Sequence, residues 1–283
     1  MVSLKAHAKI NIGLRIIGKR SDGYHDIETV FHRVNPYDEI IIEPSASVTL
    51  TCTDPTLPTD DRNLCVRATQ LLKKYTVENR GAAITLKKNI PIGAGLGGGS
   101  SDAAATLLGL TKLWDLNIDD ATLRTLALQL GSDVPYFLKE GSAHARGRGE
   151  ILEYFHLPLP YWIIVVYPNI HISTAWAYGQ FRENHKHGQL ESSGSLREAI
   201  LAHMQDPQEL AKFIFNDFEP VVLHQNETMR FCKISLYAAG AKFAQMSGSG
   251  SAFYGFFTDE AAAFTAAESF SKKYKVFITP PLS

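Results

Sequence analysis

The glycine-rich stretch at residues 91–102 restricts the fold of this chain more than any other part of its sequence. It reads Pro-Ile-Gly-Ala-Gly-Leu-Gly-Gly-Gly-Ser-Ser-Asp, and such a run is not expected inside a helix or a strand. Residues 103–114 follow, with apolar side chains at helical spacing. Glycine lets backbone N–H groups approach a ligand, and a helix N-terminus carries about half a positive charge. The stretch therefore predicts an anion site, for which phosphate is the usual ligand.

Two common phosphate loops do not fit this stretch. Residues 93–98 match Gly-x-Gly-x-x-Gly, but Pro91 interrupts the approach from the preceding strand, and a second helical pattern follows where a dinucleotide fold needs a strand. A Walker loop would end in Gly-Lys-Ser/Thr, which this run does not contain. A flexible linker is the structural alternative, although a linker rarely opens a well-patterned helix.

Composition bounds the class of protein. The 283 residues suffice for two domains or one large domain, and 45% hydrophobic residues can build a substantial core. The formal net charge of −1 argues against a nucleic-acid partner. No apolar run approaches the roughly 20 residues of a membrane helix, and no signal-peptide core is recognised. The three separated cysteines indicate reduced thiols in a cytoplasmic protein.

Alternation and helical spacing predict the other elements. Residues 5–16 alternate between apolar and polar, which predicts a half-buried strand with Lys9 and Asn11 on its polar face. The mostly polar sequence at 183–195 predicts a mobile surface loop. Strands are also predicted at 39–53 as a hairpin, and at 82–88, 161–167, 253–257 and 276–279. Helices are also predicted at 64–75, 123–130, 196–204, 207–215, 225–239 and 260–273.

Three motifs together resemble the GHMP kinases, a superfamily that includes galactokinase, homoserine kinase and mevalonate kinase. The run 91–101 resembles their phosphate loop, Ala8-Lys-Ile-Asn11 their first signature, and Met246-Ser-Gly-Ser-Gly-Ser-Ala-Phe253 their third. The resemblance covers nearly the full chain. It implies an α+β, two-domain GHMP kinase fold, with a domain similar to ribosomal protein S5 domain 2 over residues 1–152 and a ferredoxin-like domain over residues 153–283.

The resemblance implies an ATP-dependent small-molecule kinase. In such enzymes the loop N–H groups hold the ATP phosphates, and a loop serine helps to bind Mg²⁺. Asn63, Ser100 and Ser101 have a structural alternative as helix N-caps. Asp102 is a possible magnesium carboxylate, but it equally suits a first helical turn. The residues implied at ATP are Pro91, Gly93, Gly95, Leu96, Gly97, Gly98, Gly99, Ser100, Ser101 and Asn63, with Ser100 and Ser101 also at the metal.

The stretch Gly18-Lys-Arg-Ser-Asp-Gly-Tyr-His25 narrows the resemblance to one branch, whose substrate is a methylerythritol carrying a diphosphocytidyl group. In that branch the cytosine stacks on the tyrosine and the histidine binds the edge of the base. Stacking on an aromatic ring is worth about 1–3 kcal/mol per base. The alternatives are a core aromatic for Tyr24 and a structural hydrogen bond for His25.

Further residues are implied at this substrate. Tyr178 best matches an aromatic that covers the cytosine from the other side, with Trp176 as the second candidate. Lys88 matches a lysine that contacts the substrate. A solvated strand end is the alternative for Lys88, and a tight helix-to-strand turn is the alternative for the third signature. The remaining implied substrate residues are Asn11, Gly248 and Gly250.

The residues implied to act in catalysis are Lys9 and Asp133. The run Gly131-Ser-Asp-Val-Pro135 resembles the segment that carries the catalytic aspartate, although without the family it reads as a helix cap. Asp133 would accept the hydroxyl proton as general base, and Lys9 would stabilise the developing alkoxide. The implied reaction phosphorylates the 2-hydroxyl of the cytidylyl substrate in the non-mevalonate isoprenoid route. Another small-molecule GHMP kinase, such as a homoserine or mevalonate kinase, and a non-catalytic binding module are the alternatives.

Overall fold

A computed structural model describes residues 1–77, 79–181 and 194–281. The predicted mobile loop at 183–195 lies outside the described residues except for its last two positions. The chain forms two compact units that alternate along the sequence. The first comprises residues 1–8, 36–92 and 97–140, and the second comprises residues 9–35, 93–96 and 141–283. A domain boundary near residue 152 is a different division of the chain and stays a prediction.

Two long strands, β1 (Val2–Lys19) and β2 (His25–Ser45), pair with each other and contribute residues to both units. The predicted strand at 5–16 lies inside β1, so its existence is confirmed. Its predicted half-buried character is wrong, because every residue from 8 to 14 is buried. Leu196 and Ile214 cover the polar face, since a Cβ at Gly13, which shares that face with Lys9 and Asn11, would lie 3.1 Å from each of them. The edge of the strand is also paired, because Leu14 forms a β-bridge with Asn216.

In the first unit, strand β4 (Gly81–Lys87) pairs antiparallel with β2 and parallel with β3 (Thr49–Cys52). The predicted hairpin at 39–53 is therefore wrong, because β4 lies between its two strands. Gly81 permits this insertion, since a Cβ at that position would lie 2.5 Å from the backbone of Ser47. The helices of this unit are α1 (Leu64–Thr76), α2 (Gly98–Leu113) and α3 (Asp120–Leu130), followed by a 3-10 helix (Val134–Leu138).

Helix α2 begins inside the glycine-rich stretch, which corrects the expectation that no helix includes this run. Gly97 is the N-cap, has a left-handed φ of 70° and provides no side-chain cap. The first turn closes when the Ser101 N–H donates to the Gly97 carbonyl at 2.9 Å. Ser100 and Ser101 therefore lie in the first turn, and their alternative role as N-caps is wrong.

The second unit contains a four-stranded antiparallel sheet. Its strand order is β10 (Lys275–Thr279), β7 (Trp162–Tyr167), β9 (Phe253–Phe257) and β8 (Phe243–Met246), which is the order of a ferredoxin-like sheet. Separately, β5 (Ser142–Gly147) pairs with residues 27–31 of β2 and with β6 (Ile151–Phe155). The helices are α4 (Thr174–Gln180), α5 (Leu196–His203), α6 (Pro207–Phe213), α7 (Glu219–Gln225), α8 (Glu227–Ala238) and α9 (Glu260–Ser271).

The predicted helix at 225–239 starts instead at Glu227 and is preceded by α7, which was not predicted. Asn226 separates the two helices because its side chain caps α8, accepting the Met229 N–H at 3.1 Å. Strand β8 and the short helix α4 were also not predicted. The other predicted helices and strands are confirmed, with ends that differ by up to five residues.

Candidate active site

Lys9 is buried at 4% exposure, so the alternative of a solvated polar face is wrong. Its backbone N–H donates to the Leu96 carbonyl at 3.0 Å, at the glycine-rich stretch. Its Nζ donates to Oδ1 of Asn11 and lies 4.9 Å from the ring centroid of Phe31. A buried ammonium is costly without such partners. These contacts hold a cation against the predicted phosphate loop.

Asn11 is 2% exposed and bonds through both ends of its side chain. Its Oδ1 accepts from Lys9, and its Nδ2 donates to Thr29 Oγ1 at 3.0 Å. Its backbone N–H donates to Ser247 Oγ at 3.2 Å, and its carbonyl accepts from the Tyr254 hydroxyl at 3.0 Å. The amide is thus fixed in direction and orients Lys9. A substrate contact of Asn11 stays a prediction.

Ser247 joins the third motif to the phosphate loop within the second unit. It is fully buried, and its hydroxyl accepts the Asn11 N–H and donates to the Gly95 carbonyl at 2.9 Å. Gly95 has a left-handed φ of +77°, and a Cβ there would lie 2.1 Å from the Ser247 carbonyl oxygen. Both its conformation and its surroundings therefore require glycine.

The two glycines predicted at the substrate, Gly248 and Gly250, lie in the segment that follows Ser247. A Cβ at Gly248 would lie 3.2 Å from Oδ1 of Asn11, which places Gly248 beside the Lys9–Asn11 pair. A Cβ at Gly250 would contact the Met246 sulfur at 2.8 Å. The predicted helix-to-strand turn in this motif is wrong, because the segment joins strand β8 to strand β9. A Cβ at Gly93, earlier in the chain, would lie 2.5 Å from His171 Nδ1.

Of the three residues predicted to bind cytosine, the fold places His25 and Tyr178 in contact. The rings of His25 and Tyr178 stack with centroids 4.8 Å apart and planes at 17°. Tyr24 is 56% exposed, so its alternative as a core aromatic is wrong, and the Arg148 guanidinium lies 5.0 Å from its ring centroid. A base between His25 and Tyr178 would need about twice their separation. The ring of Tyr24 is exposed, and a contact of Tyr24, His25 or Tyr178 with a base stays a prediction.

The start of α2 has the properties of an anion site in the first unit. The N–H groups of its first turn have no acceptor within the helix, and the N-cap glycine supplies no side chain. The helix dipole favours negative charge at this position. Ser100 is half-buried, whereas Ser101 is only 2% exposed, so Ser100 is the serine better placed for a ligand from solvent.

Asn63 is the N-cap of α1, so its structural alternative is confirmed. Its Oδ1 accepts the Cys65 N–H at 2.9 Å, and its Nδ2 donates to the Pro58 carbonyl at 2.8 Å. A nucleotide contact of Asn63 stays a prediction. The next residue, Leu64, lies 3.6 Å from the position of a Cβ at Gly99, which brings the start of α1 to the glycine-rich stretch.

Lys88 is not a solvated strand end. Its side chain is 6% exposed, and its Nζ lies 2.5 Å from Asp38 Oδ2 and 2.8 Å from Asp102 Oδ2. Burial lowers the pKa of Lys88, but the carboxylates of Asp102 and Asp38 raise it above its usual value. Burial raises the pKa of Asp102 to about 7, with Lys88 opposing the shift and Asp38 adding to it. The substrate contact of Lys88 stays a prediction.

Asp133 is the residue before the 3-10 helix, with helical backbone angles of φ −83° and ψ −16°. Asp133 occupies the N-cap position, as its structural alternative expects, although its side chain makes no capping hydrogen bond, and Pro135 lies in the first turn as predicted. Asp133 is half-buried. Its catalytic role stays a prediction.

Sequence reasoning missed Asp38, Thr29, Ser247 and Arg148 as site residues. Ser247 lies inside the third motif, directly before Gly248, and this position in the motif was an available signal. Asp38 stands in the polar and turn-forming run Asn35-Pro-Tyr-Asp-Glu39, so nothing in the sequence indicates that this carboxylate is buried. For Arg148 and Thr29 the sequence pattern contains no comparable signal.

Two kinds of feature are absent from the described residues. No described helix is both long and apolar enough to cross a membrane. Among the residues that the structure covers, no group of three His, Cys, Asp or Glu side chains is arranged to hold a metal ion.

Comparison with known proteins gives matches over both halves of the chain. The family described as "GHMP kinases N terminal domain" matches residues 63–141, and "GHMP kinases C terminal" matches residues 196–276. A 4-diphosphocytidyl-2-C-methyl-D-erythritol kinase of Prosthecochloris aestuarii is 46% identical, over 99% of this chain and 97% of the relative. The relative of the same name from Chlorobaculum tepidum is 43% identical, over 98% and 96%.

Solved structures agree with these matches. A crystal structure of 4-(cytidine 5'-diphospho)-2C-methyl-D-erythritol kinase superposes with a TM-score of 0.85 at 34% identity, covering 98% of both chains. Homoserine kinase from Cytophaga hutchinsonii superposes with a TM-score of 0.74 at 19% identity, covering 99% of this chain and 95% of that one, which supports the fold alone. The predicted α+β, two-domain fold is confirmed. The chain belongs to the GHMP kinases, and within them to the family of the 4-diphosphocytidyl-2-C-methyl-D-erythritol kinases.

Proposed function

We propose that this chain transfers the γ-phosphoryl group of ATP to the 2-hydroxyl of 4-diphosphocytidyl-2-C-methyl-D-erythritol, a step of the non-mevalonate isoprenoid pathway. The observation that carries the proposal is the 46% identity over almost the whole of a relative named for this substrate. Solved homoserine and mevalonate kinases are less similar, at 19% and 14% identity, which disfavours these activities.

The phosphates of ATP bind at the start of α2 in this proposal. The backbone N–H groups of the first turn and the glycine-rich stretch offer donors without a side chain in the way. Hydroxyl oxygen is a suitable ligand for Mg²⁺, and the half-buried Ser100 supplies it. Mg²⁺ bound with ATP supplies charge neutralisation on the phosphates. The contribution of the chain is to fix the position of the phosphates.

The acceptor hydroxyl is a poor nucleophile at neutral pH, so it needs a base and electrostatic stabilisation. We assign the base to Asp133, which takes the hydroxyl proton as the oxygen attacks. We assign stabilisation of the developing charge to the ammonium of Lys9, whose direction is fixed by Asn11. Positioning of the two reactants contributes up to about 7–11 kcal/mol in favourable cases.

The cytidine part of the substrate supplies binding energy away from the reacting atoms. We assign stacking to Tyr24 and recognition of the base to His25, with Tyr178 packed against that histidine. Lys88 retains one ammonium donor beyond the two that its carboxylate partners accept. Asn11, Gly248 and Gly250 complete the proposed substrate residues. Free thiols at all three cysteines support a cytoplasmic location.

The test is ATP turnover by the purified protein with Mg²⁺, comparing three acceptors: the cytidylyl substrate, homoserine and mevalonate. Phosphorus NMR of the product locates the new phosphate. We expect turnover with the cytidylyl substrate alone and a new phosphate at its 2-position. Turnover with homoserine or mevalonate instead would replace the proposed substrate, and ATP binding without any turnover would favour a non-catalytic binding module.

A further inference from the structure

A buried carboxylate of the first unit is bonded to three consecutive residues that lead into the phosphate loop. Asp38 is fully buried on β2. Its Oδ1 accepts the N–H groups of Asn89 at 2.5 Å and Ile90 at 2.8 Å. Its Oδ2 accepts from Lys88 Nζ at 2.5 Å. One side chain thus determines the path of the chain immediately before Pro91.

The same interaction continues to the other end of the loop. Lys88 Nζ also donates to Asp102 Oδ2 at 2.8 Å, and Asp102 lies in the first two turns of α2. The ammonium lies 3.4 Å from the position of a Cβ at Gly98, directly against the first turn. Asp38, Lys88 and Asp102 therefore join the residues before the glycine-rich stretch to the helix after it.

Stability alone does not account for this cluster. Two carboxylates share one ammonium, and the Oδ1 atom of Asp102 is buried with no hydrogen-bond partner among the described residues. Burying charged groups costs free energy that their mutual attraction only partly recovers, and well-packed apolar residues often stabilise as well or better. What apolar residues cannot supply is directional bonding to two backbone N–H groups and to a cation at the helix start.

We propose that Asp38 is a positioning residue for the phosphate loop. It acts through Lys88 and through the backbone of residues 89 and 90, and it holds the start of the loop in register with the first turn of α2. ATP affinity therefore depends on Asp38, although Asp38 contacts neither ATP nor the acceptor. The proposal rests on the proposed function of the loop as the ATP phosphate site.

The experiment compares Asp38→Asn with Asp119→Ala. Asn retains an oxygen that can accept the backbone N–H groups, but it removes the charge that Lys88 faces. Asp119 is an exposed N-cap of α3 in the same unit, accepting the Thr122 N–H at 2.8 Å, so its removal destabilises a helix without touching the loop. Three quantities are measured for each variant: the Kd of a non-hydrolysable ATP analogue by calorimetry, the KM for ATP with kcat, and the thermal midpoint.

We expect Asp38→Asn to raise both the Kd and the KM for the nucleotide about tenfold, equivalent to about 1.4 kcal/mol, with kcat at saturating ATP within about twofold of wild type. Asp119→Ala should lower the thermal midpoint and leave the Kd unchanged. A lowered midpoint for Asp38→Asn with an unchanged Kd overturns the proposal, because it describes a structural role only.

A second variant breaks the same connection from its other side. Lys88→Met keeps most of the length of the side chain and removes its charge, so it should also raise the Kd. An unchanged Kd in Lys88→Met contradicts the proposal. If wild-type protein binds the nucleotide but phosphorylates no acceptor, the proposed function fails, while the Kd comparison still decides the role of Asp38.

Discussion

Replacing Ser247 with alanine removes a single oxygen at the point where three motifs meet. The hydroxyl accepts the Asn11 N–H at 3.2 Å and donates to the Gly95 carbonyl at 2.9 Å. The bond to Asn11 is buried, whereas the bond to Gly95 is part-buried because Gly95 itself is half-buried. The substitution therefore leaves a buried donor and a part-buried acceptor without their partner, while it changes the packing by one atom.

The magnitude follows from those two groups. A buried polar group that loses its partner costs about 1–3 kcal/mol. Because the two groups belong to one network, their costs do not simply add, and we expect the free energy of unfolding to fall by about 2–4 kcal/mol. The Asn11 backbone also loses one of its anchors, while Thr29 and the Tyr254 hydroxyl still hold the residue, so the amide that orients Lys9 is held less firmly. We therefore expect kcat to fall about tenfold or more, in addition to the loss of stability.

The assay combines urea unfolding with steady-state kinetics, and Ser251→Ala is the matched control. Ser251 is equally buried in the same loop, but its hydroxyl donates to the Ile170 carbonyl and does not contact Asn11 or Gly95. The control should lower stability by about 1–3 kcal/mol and change kcat little. The reasoning is refuted if both variants lose the same stability and both keep the wild-type kcat.

Three further predictions concern single residues. Gly95→Ala forces a side chain into a left-handed position and against the Ser247 carbonyl, so it should raise the KM for ATP about tenfold or more and lower the thermal midpoint; a normal KM contradicts the described loop. Tyr24→Ala should raise the KM for the cytidylyl substrate about 5–150-fold, as expected from about 1–3 kcal/mol of stacking, and leave the KM for ATP unchanged; an unaltered response to the substrate removes Tyr24 from the base site. Burial raises the pKa of Asp102 to about 7 from its usual 3.8. Between about pH 4 and 7 the folded protein therefore keeps a proton that the unfolded chain releases, so the free energy of unfolding should fall as the pH rises through this range. Asp102→Asn cannot ionise and should flatten this fall in urea unfolding measured across that range, whereas an unchanged slope contradicts the shifted carboxyl group.

Local patterns predicted the elements whose cause is local. The helix at 64–75 corresponds to α1 at Leu64–Thr76, and the strand at 253–257 has the predicted ends. Apolar spacing and a capping residue specify such elements without reference to the rest of the chain. The motifs likewise predicted the fold, because their order along the chain resembles that of one superfamily.

The errors have causes that lie far away in the sequence. The start of α2 in a glycine-rich run depends on packing, since Gly98 lies against Ile90 and Gly99 lies near Leu64. The hairpin was wrong because β4, about 30 residues later in the chain, pairs between its strands. A local sequence pattern does not report contacts between residues that are distant in the chain.

The candidate site shows the same limit. A polar residue on an alternating strand reads as solvated, and only the segments that cover β1 show that Lys9 and Asn11 are buried. The ion cluster of Asp38, Lys88 and Asp102 joins residues separated by 50 and 14 positions, so no spacing rule indicates it.

The central claim is that Lys9, held against the phosphate loop by Asn11 and the Leu96 carbonyl, serves phosphoryl transfer to the cytidylyl substrate. The most direct test measures product formation from ATP and 4-diphosphocytidyl-2-C-methyl-D-erythritol by wild-type protein and by Lys9→Met, with the Kd for ATP measured in parallel. We predict that wild-type protein forms a 2-phosphorylated product. In the variant, kcat at saturating ATP should be at least about 100-fold lower. A variant that binds ATP and retains the wild-type kcat would contradict the account.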